Sequence, residues 1–337
     1  MKILITGSSG FIGFHLSKLL LNEGFEVHGF DGMTKYYDVN LKLKRQSILF
    51  KYPKFSASNG MLEEGNKFND ISNDFKPDII IHLAAQAGVR YSLENPRAYI
   101  DSNIIGTFNV LEVAKKHDVK HLLMASTSSV YGANLNMPFS ENDKTDTQLT
   151  IYAATKKSNE SMAHSYAYLW KIPTTMFRFF TVYGPWGRPD MALFKFVSSI
   201  LKDEPIDIYN EGDMYRDFTY VDDLVNSIRL LIDTIPSLKS ENIDLKSNLH
   251  SPVAPYRVVN IGNSNKVRLL DFIEAIEEIL QKKAIKNFMP MQKGDVHATW
   301  ADTSLLQSLT GQNPKTDFYD GISKFIEWYR EYYDFKN

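Results

Sequence analysis

A tyrosine and a lysine four residues apart are the side chains of this 337-residue sequence best suited to proton transfer. Tyr152 and Lys156 fall near the start of a predicted helix, so their side chains share one face about one turn apart. An ammonium group beside a phenol stabilises the phenolate and lowers the phenol pKa. We therefore predict that Tyr152 is a general base towards an alcohol near neutral pH. Because a Tyr-x-x-x-Lys pair is also common on solvated helix faces, this prediction depends on the neighbouring motifs.

A row of hydroxyl groups follows the strand predicted just before this helix. The strand KHLLMAST ends in Ser126 and Thr127, and Ser128 and Ser129 come next. Ligands of parallel α/β sheets bind at the carboxyl ends of the strands. These hydroxyl groups are therefore candidates to orient the reacting oxygen.

Three glycines, Gly7, Gly10 and Gly13, follow the first predicted strand and lead into a predicted helix. Glycine there permits a tight turn and a close approach of the backbone to a pyrophosphate, and the helix N-terminus attracts the anion. The next predicted strand ends at Asp31, whose carboxylate can accept hydrogen bonds from an adenosine ribose and would repel a 2′-phosphate. The order of these features predicts a dinucleotide site that prefers NAD to NADP, rather than unrelated turn glycines.

Alternating apolar runs and amphipathic stretches would position these groups. Five short apolar runs occur up to about residue 180, namely KILIT, FEVHGFD, PDIIIHLAA, KHLLMAST and PTTMFRFF. Helical spacing predicts helices over Phe11–Asn22, residues 152–169 and Ala192–Leu201. The pattern is typical of the α/β class, with a Rossmann-type doubly wound parallel sheet.

We expect the chain to divide near residue 180. Residues 1–180 would form the NAD-binding domain, and residues 216–236 and 256–264 would return to it. The rest of 181–337 mixes strand and helix signals and would form a smaller mixed α/β C-terminal domain for the substrate. The polar stretch 236–255, punctuated by proline and serine, predicts a surface loop.

Composition narrows the possible functions. The apolar share is 43%, the charged share is 23% and the net charge is -2, with lysine and arginine scattered along the chain. This pattern disfavours nucleic-acid and membrane-surface binding. The sequence has no cysteine, and its eight histidines show no metal-binding spacing. The first residues already predict a strand and no apolar run reaches the roughly 18 residues of a membrane span, so we expect a cytoplasmic protein with small-molecule ligands.

Nearly the whole chain resembles the UDP-glucuronate 4-epimerase branch of the extended short-chain dehydrogenase family. The resemblance rests on the GxxGxxG spacing of the glycines and on the segments HLAAQAGVRYS, STSSVYG, YAATK, TVYGPWGRPDMALFKF, MYRDFTYVDD and MPMQKGDVHATWADTS. It implies the catalytic residues Thr127, Tyr152 and Lys156. The positions that match cofactor-binding residues are Gly7, Gly10, Phe11, Ile12, Gly13, Asp31, Lys35, Leu83, Ala84, Ala85, Gln86, Asn103, Tyr152 and Lys156. The positions that match substrate-binding residues are Arg90, Ser128, Ser129, Thr181, Arg188, Arg216 and Asp295.

The resemblance also implies a mechanism. Tyr152 would take the proton of the C4 hydroxyl while a hydride passes to a tightly bound NAD. The resulting 4-keto sugar would rotate and regain the hydride on its other face. In a uronate this ketone is a β-keto acid, which readily loses carbon dioxide. We hypothesise that the carboxylate is held so that its C–C bond is poorly aligned with the carbonyl π system. The residues that would hold it are Ser128, Ser129, Thr181 and Arg188. Arg216 and Asp295 would hold the diphosphate and the nucleoside ribose.

Other reactions remain open at this point. Arg188 favours a uronate. The alternative is an ion pair with Asp190, and then a neutral UDP-hexose or UDP-N-acetylhexosamine would be the substrate. Related decarboxylases usually carry an acidic residue after the catalytic threonine, where this chain has Ser128. Non-catalytic NAD-binding sensors commonly lack the tyrosine and lysine that are present here.

Two further expectations come from the resemblance. Residues 96–116 and 152–169 would pair across a two-fold axis to form a homodimer, and the product would serve surface polysaccharide synthesis. Met61 departs from the family pattern, since an aspartate that binds the adenine amino group is usual there. Backbone groups or Asn59 would have to replace that contact.

Overall fold

The computed structural model describes residues 1–238 and 251–335. The strands within these residues are, in chain order, β1 (Lys2–Thr6), β2 (Glu26–Asp31), β3 (Phe55–Asn59), β4 (Ile79–His82), β5 (His121–Thr127), β6 (Thr174–Phe179), β7 (Thr181–Tyr183), β8 (Pro205–Tyr209), β9 (Tyr215–Arg216), β10 (Phe218–Tyr220), β11 (Tyr256–Ile261), β12 (Val267–Arg268), β13 (Ile285–Met289) and β14 (Ala298–Thr299). The α-helices are α1 (Phe11–Asn22), α2 (Val39–Leu49), α3 (Asn66–Phe75), α4 (Tyr91–Glu94), α5 (Pro96–Tyr99), α6 (Gly106–Lys116), α7 (Ile151–Trp170), α8 (Ala192–Leu201), α9 (Val221–Asp233), α10 (Leu269–Leu280), α11 (Ser304–Thr310) and α12 (Phe318–Tyr332).

Seven parallel strands form the main sheet, in the order β11-β6-β5-β4-β1-β2-β3. The chain runs from β1 outwards to β3 and then returns to β4 on the other side of β1. This reversal confirms the prediction of a doubly wound Rossmann-type α/β fold. It also opens a crevice between the carboxyl ends of β1 and β4, which is where ligands bind in such sheets.

Both faces of the sheet are covered, because the side chains of each strand alternate between them. Ile3 and Ile5 belong to one apolar core, which α1 and α9 complete. Leu4 belongs to the other core, which α6 and α7 complete. Burial on both faces explains why the central strands are short continuous apolar runs.

Two strands of the sheet, β3 and β11, lie outside the five predicted apolar runs, although residues 256–264 were expected to return to this domain. Strand β3, with the sequence FSASN, lies at the sheet edge and pairs with β2. Its one fully buried side chain is Phe55. An edge strand buries little surface, so its sequence carries little of the apolar pattern on which the prediction relied.

Part of the chain after residue 180 packs around a third apolar core. Helices α8, α10 and α12 contribute to it, and the stacked rings of Phe218 and Phe272, 3.9 Å apart, lie near its centre. Strand β9 pairs antiparallel with β12 and parallel with β14. The mixed α/β character predicted for this part of the chain is confirmed.

The predicted helices agree closely with the structure. Two have the predicted bounds, and the helix predicted over 152–169 is α7, begun by the side chain of Thr150, which accepts a hydrogen bond from Ala153 N. The 96–116 segment consists of α5, a π-helical stretch over Ile100–Ile105 and α6. Of the loop predicted over 236–255, residues 239–250 lie outside the described residues, and the remainder has no helix or strand. Within the described ranges, no helix is both long and apolar enough to cross a membrane.

Candidate active site

A cleft opens at the carboxyl ends of β1, β2, β4 and β5. Most of the predicted site residues line it. They are Gly7, Gly10, Phe11, Ile12, Gly13, Asp31, Leu83, Ala84, Ala85, Gln86, Thr127, Tyr152, Lys156 and Arg188. Across residues 1–238 and 251–335, no group of three or more histidine, aspartate or glutamate side chains is arranged to hold a metal ion.

The glycine loop is built for close packing. Gly7 has a φ of +74°, and a Cβ there would lie 2.8 Å from Ala84 N. A Cβ on Gly13 would lie 2.1 Å from Gly7 O, so α1 can approach the loop only without a side chain at this position. No side chain caps the N-terminus of α1. Its first turn therefore faces the cleft as an anion-binding end, and the loop fits the pyrophosphate of a dinucleotide.

The end of β2 presents Asp31 to the cleft. Its two carboxylate oxygens accept hydrogen bonds from Ser9 N and Met33 N, both at 2.9 Å. Lys35 is exposed and does not line the cleft, whereas Lys42 does. Lys42 Nζ donates to the carbonyl and the hydroxyl oxygen of Thr34 at 2.9 and 3.0 Å. Lys42 was not predicted from the sequence, because nothing in its spacing distinguishes it from Lys44 in the same helix.

Asn103 supports the cleft wall from behind. It is 1% exposed and lies in the π-helical stretch, a feature frequent at functional sites. Its Oδ1 accepts a hydrogen bond from Gln86 N at 2.8 Å, and its Nδ2 donates to Gln86 O at 3.0 Å and to Thr155 Oγ1 at 3.1 Å. Asn103 thus ties the cofactor-side loop to α7 and does not itself line the cleft.

Tyr152 and Thr127 meet in the cleft. Burial raises the pKa of Tyr152, and a hydrogen bond with Thr127 and the charge of Arg188 oppose that rise. The expectation that Lys156 would lower the phenol pKa is therefore wrong for this arrangement. The Lys156 ammonium instead donates a hydrogen bond to the carbonyl oxygen of Ala125, and burial lowers its own pKa to about 8.

The three other predicted hydroxyl groups, those of Ser128, Ser129 and Thr181, do not line the cleft. Thr127 caps the short 3-10 turn Ser128–Tyr131, because its Oγ1 accepts a hydrogen bond from Ser129 N at 3.2 Å. Ser128 and Ser129 are half-buried in this turn. Thr181 begins β7 and shares a small adjoining pocket with Arg188.

A buried ionic network holds the end of β5 against α7. Ser126 Oγ donates to Glu160 Oε1 at 2.7 Å. Arg178 donates to both carboxylate oxygens of Glu160 at 2.9 Å. The sequence analysis did not find this network, because Glu160 and Arg178 come together only when β6 pairs with β5.

Arg188 lies at the cleft and also forms the ion pair that the sequence left open. It lines the cleft with Tyr152, and it also forms a bidentate ion pair with Asp190, with N–O distances of 3.0 and 2.5 Å. The hydroxyl of Tyr36 donates to the same carboxylate at 3.1 Å. Burial raises the pKa of Asp190, but the charge of Arg188 and the hydrogen bonds from Arg188 and Tyr36 together outweigh burial, and the pKa is lowered overall. Neither Asp190 nor Tyr36 was predicted as a site residue.

The predicted nucleotide-binding residues form a second group outside the cleft lining. Arg90 and Asp295 form an ion pair with an N–O distance of 3.0 Å, although 205 residues separate them. Arg216 Nη1 donates to the carbonyl oxygens of Tyr215 and His297 at 2.8 and 3.2 Å. Burial lowers the pKa of Arg216, while the charge of Asp295 opposes this shift. The fold therefore brings Arg90, Arg216 and Asp295 together.

Met61 lines the cleft beside the residues that follow Asp31. A Cβ on Gly32 would lie 2.8 Å from Met61 Sδ, so the thioether packs directly on this backbone. Asn59 does not line the cleft, and its Oδ1 accepts a hydrogen bond from Gln46 Nε2 at 3.1 Å. Glu63, which the sequence analysis did not single out, lines the cleft next to Met61.

A glycine loop and a Tyr-x-x-x-Lys helix at one cleft of a doubly wound sheet define a dinucleotide-dependent enzyme of the extended short-chain dehydrogenase type. The NAD dependent epimerase/dehydratase family model matches residues 3–245. The chain is 54% identical to a probable UDP-glucuronate 4-epimerase of Rhizobium meliloti (strain 1021), covering 99% of this chain and 98% of that protein. It is 42% identical to UDP-glucuronate 4-epimerase 1 of Arabidopsis thaliana, covering 99% of this chain and 78% of that protein. The solved structure of UDP-glucuronic acid 4-epimerase from Bacillus cereus, in complex with UDP-glucuronic acid and NAD, matches with a TM-score of 0.87 and 32% identity over 99% of this chain and 100% of that one.

The chain therefore belongs to the NAD dependent epimerase/dehydratase family. The family resemblance identified from the sequence motifs is confirmed.

Proposed function

We propose that this protein is a nucleotide-sugar 4-epimerase that interconverts UDP-glucuronate and UDP-galacturonate. The observation that carries the proposal is the meeting of Tyr152, Thr127 and Arg188 in the cleft next to the glycine loop. The relatives described above, whose names specify UDP-glucuronate 4-epimerases, support the same substrate.

The cofactor is NAD. The first turn of α1 would hold its pyrophosphate, Asp31 its adenosine ribose, and residues 83–86 the wall of its site. When bound, NAD would accept a hydride from C4 of the sugar and return it to the opposite face. Lys156 would contact the cofactor, and Asn103 would keep the wall in place through Gln86.

Proton transfer is assigned to Tyr152. Its phenol would take the proton of the C4 hydroxyl and return it when the alcohol re-forms. Thr127 would orient that hydroxyl, since it already makes a hydrogen bond with the phenol. A positive charge favours the phenolate, and Arg188 supplies such a charge here.

The sugar carboxylate would lie near Arg188, Ser128, Ser129 and Thr181. Hydrogen bonds from these side chains would keep the C–C bond of the carboxylate out of line with the C4 carbonyl of the keto sugar. The keto sugar would then keep its carboxylate instead of losing carbon dioxide. At the other end of the substrate, Arg90, Arg216 and Asp295 would bind the diphosphate and the nucleoside ribose.

The proposal is tested by incubating the purified protein with UDP-glucuronate, without added NAD, and following the nucleotide sugars by NMR. Formation of UDP-galacturonate up to an equilibrium mixture is expected, with the cofactor retained from the cell. UDP-pentose and carbon dioxide would instead assign a decarboxylase. Retained NAD without turnover of any nucleotide sugar would indicate a non-catalytic NAD-binding sensor.

A neutral-sugar epimerase is the second candidate. The ion pair between Arg188 and Asp190 favours it, because this arginine already has a counterion. Conversion of a UDP-hexose or a UDP-N-acetylhexosamine, but not of UDP-glucuronate, in the same assay would establish this alternative.

The protein is proposed to be a homodimer formed through residues 96–116 and α7. Tyr166 of α7 donates a hydrogen bond to Glu112 of α6, so the two helices lie side by side. Their outer faces expose Phe108, Leu169 and Trp170, and burying such side chains favours association. Light scattering should give twice the chain mass, and Phe108→Glu should yield the monomer.

The domain boundary near residue 180 belongs to the same proposal. Residues 1–180 would bind NAD together with 216–236 and 256–264, and the rest of 181–337 would bind the nucleotide sugar. The packing of α9 with α1 in one core, and the pairing of β11 with β6, support this division.

We propose that the enzyme acts in the cytoplasm, where NAD and nucleotide sugars are both available, and supplies surface polysaccharide synthesis. Cell fractionation should recover the epimerase activity with the soluble proteins. Recovery in the membrane fraction would contradict this location.

A further inference from the structure

Arg188 reaches the cleft with its counterion already in place. Its Nε and Nη2 donate to Asp190 Oδ1 and Oδ2 at 3.0 and 2.5 Å. Asp190 itself does not line the cleft, so the cation lies between the carboxylate and the cleft. Tyr36 donates to Asp190 Oδ2 at 3.1 Å, and Gly88 makes room for this hydroxyl, since a Cβ there would lie 2.7 Å from it.

The proposed reaction limits how firmly a sugar carboxylate can be held. The keto sugar must turn over within the cleft before the hydride returns, so its carboxylate must break and re-form its contacts. An arginine without a counterion would hold a carboxylate by two charge-assisted hydrogen bonds, which are the strong ones. Tight binding of the ground state lowers KM without raising kcat. Tight binding of the sugar carboxylate would therefore slow rotation of the keto sugar and so slow turnover.

We propose that Asp190 is a positioning residue that balances the charge of Arg188 and keeps its hold on the sugar carboxylate weak enough for the keto sugar to rotate. The hydrogen bond from the Tyr36 hydroxyl holds the Asp190 carboxylate against Arg188. This inference rests on the proposed UDP-glucuronate chemistry and deepens it, because it assigns acidic-sugar selectivity to a carboxylate outside the cleft lining.

The surrounding charges make this balance necessary. Lys42, Arg45 and Arg188 lie close enough to one another for their charges to interact. The hydrogen bonds of Arg45 go to hydroxyl and carbonyl oxygens of Tyr37, Ser9, Trp186 and Gly187. Asp31 offsets the charge of Lys42, and Asp190 offsets that of Arg188. Without Asp190 the excess of positive charge beside the sugar would rise by one.

The test compares binding of UDP-glucuronate and UDP-glucose by calorimetry, with NAD-loaded protein in which Tyr152→Phe prevents turnover. Adding Asp190→Asn should lower the Kd of UDP-glucuronate about tenfold, the scale of one charge-assisted hydrogen bond, and leave the Kd of UDP-glucose unchanged. With Tyr152 intact, Asp190→Asn should lower both kcat and KM for UDP-glucuronate. A weaker affinity for UDP-glucuronate, or equal changes for both sugars, would overturn the proposal and leave Asp190 a merely structural role.

Two further variants provide a second test of the role of Asp190 and a matched control. Tyr36→Phe keeps the ring, removes the hydroxyl that holds Asp190, and should shift the Kd of UDP-glucuronate in the same direction by a smaller factor. It carries the test alone if Asp190→Asn does not fold. The matched control is Asp233→Asn, which breaks another Arg–Asp pair on α9, with an N–O distance of 2.6 Å, outside the cleft. It should alter neither Kd.

Failure of the proposed function can be distinguished from failure of the role proposed for Asp190. If the wild-type protein does not convert UDP-glucuronate, the epimerase assignment is wrong, whereas the ratio of the two Kd values still reports the effect of Asp190. If the wild type converts it and the ratio does not move in Asp190→Asn, only the role of Asp190 is wrong.

Discussion

Lys156 Nζ donates a hydrogen bond of 2.9 Å to the carbonyl oxygen of Ala125. Ala125 lies in β5, two residues before Thr127, so this bond ties α7 to the strand end that carries the hydroxyl groups of the site. Lys156 is 3% exposed, and burial lowers its pKa to about 8. The lysine therefore titrates close to physiological pH.

Stability should depend on pH through Lys156. The folded protein loses this proton near pH 8, whereas the unfolded chain keeps it up to the ordinary value of 10.5. Because the unfolded state binds more protons between these values, the contribution of Lys156 to the free energy of unfolding rises with pH across that window. Urea denaturation should show the stability of the wild type rising relative to Lys156→Met between pH 7.5 and 10. The exposed Lys202 is the control, since Lys202→Met should give no such trend. If wild type and Lys156→Met differ in free energy of unfolding by the same amount at pH 7.5 and at pH 10, the burial argument is contradicted.

Replacing Tyr152 by phenylalanine should remove proton transfer without disturbing the fold. We expect kcat for UDP-glucuronate epimerisation to fall by about 10²–10⁴, the usual contribution of a general base. NAD content, measured after release from the denatured protein, should stay at the wild-type level. Tyr91→Phe is the matched control, because the hydroxyl of Tyr91 contacts Asn95 and lies outside the cleft lining. A Tyr152→Phe enzyme with more than half the wild-type kcat would exclude Tyr152 as the base.

Cofactor choice should depend on the charge of Asp31. Asp31→Asn keeps an acceptor for Ser9 N or Met33 N but removes the charge that repels a 2′-phosphate. We expect the ratio of NADP to NAD affinity to rise about tenfold, as for the loss of one charge contact near an anion. Fluorescence titration of the cofactor-stripped protein measures this ratio. An unchanged ratio would mean that other residues, such as Lys42 beside Asp31, decide the preference.

The buried pair of Glu160 and Arg178 should matter for stability. Arg178→Met would break the buried pair and leave Glu160 with the partly exposed Lys157, whose Nζ lies 3.1 Å from Oε2. Breaking a buried pair costs about 3–5 kcal/mol, and Lys157 should keep the loss towards the lower end of that range. Urea denaturation should report a loss of this size. Arg97→Met, which breaks an exposed ion pair with Asp101, should change the free energy of unfolding little. Similar small effects for both variants would show that water or other groups compensate Glu160.

Much of the site could be predicted because its signals are local. The glycines and Asp31 occur at the ends of consecutive elements, and Tyr152 and Lys156 share one helix turn. Lys42 and the Glu160–Arg178 network could not be predicted, since Lys42 enters the cleft and Glu160 meets Arg178 only in the packed fold. The pair of Arg188 and Asp190 is local and was considered from the sequence, whereas the hydrogen bond from Tyr36 to Asp190 spans 154 residues and was not. Strand β3 was missed for a related reason, because an edge strand needs few buried residues.

The sequence by itself determined the fold class, the dinucleotide loop and the candidate base, because hydrophobic periodicity and glycine spacing act over a few residues. Only the tertiary structure decided how these groups are charged. Burial, which no spacing reports, raises the pKa of Tyr152 and lowers that of Lys156. The packing of two distant segments also brings the Tyr36 hydroxyl onto Asp190, the counterion of Arg188. Protonation and charge balance depend on the sum of all neighbours in space, and folding sets that sum.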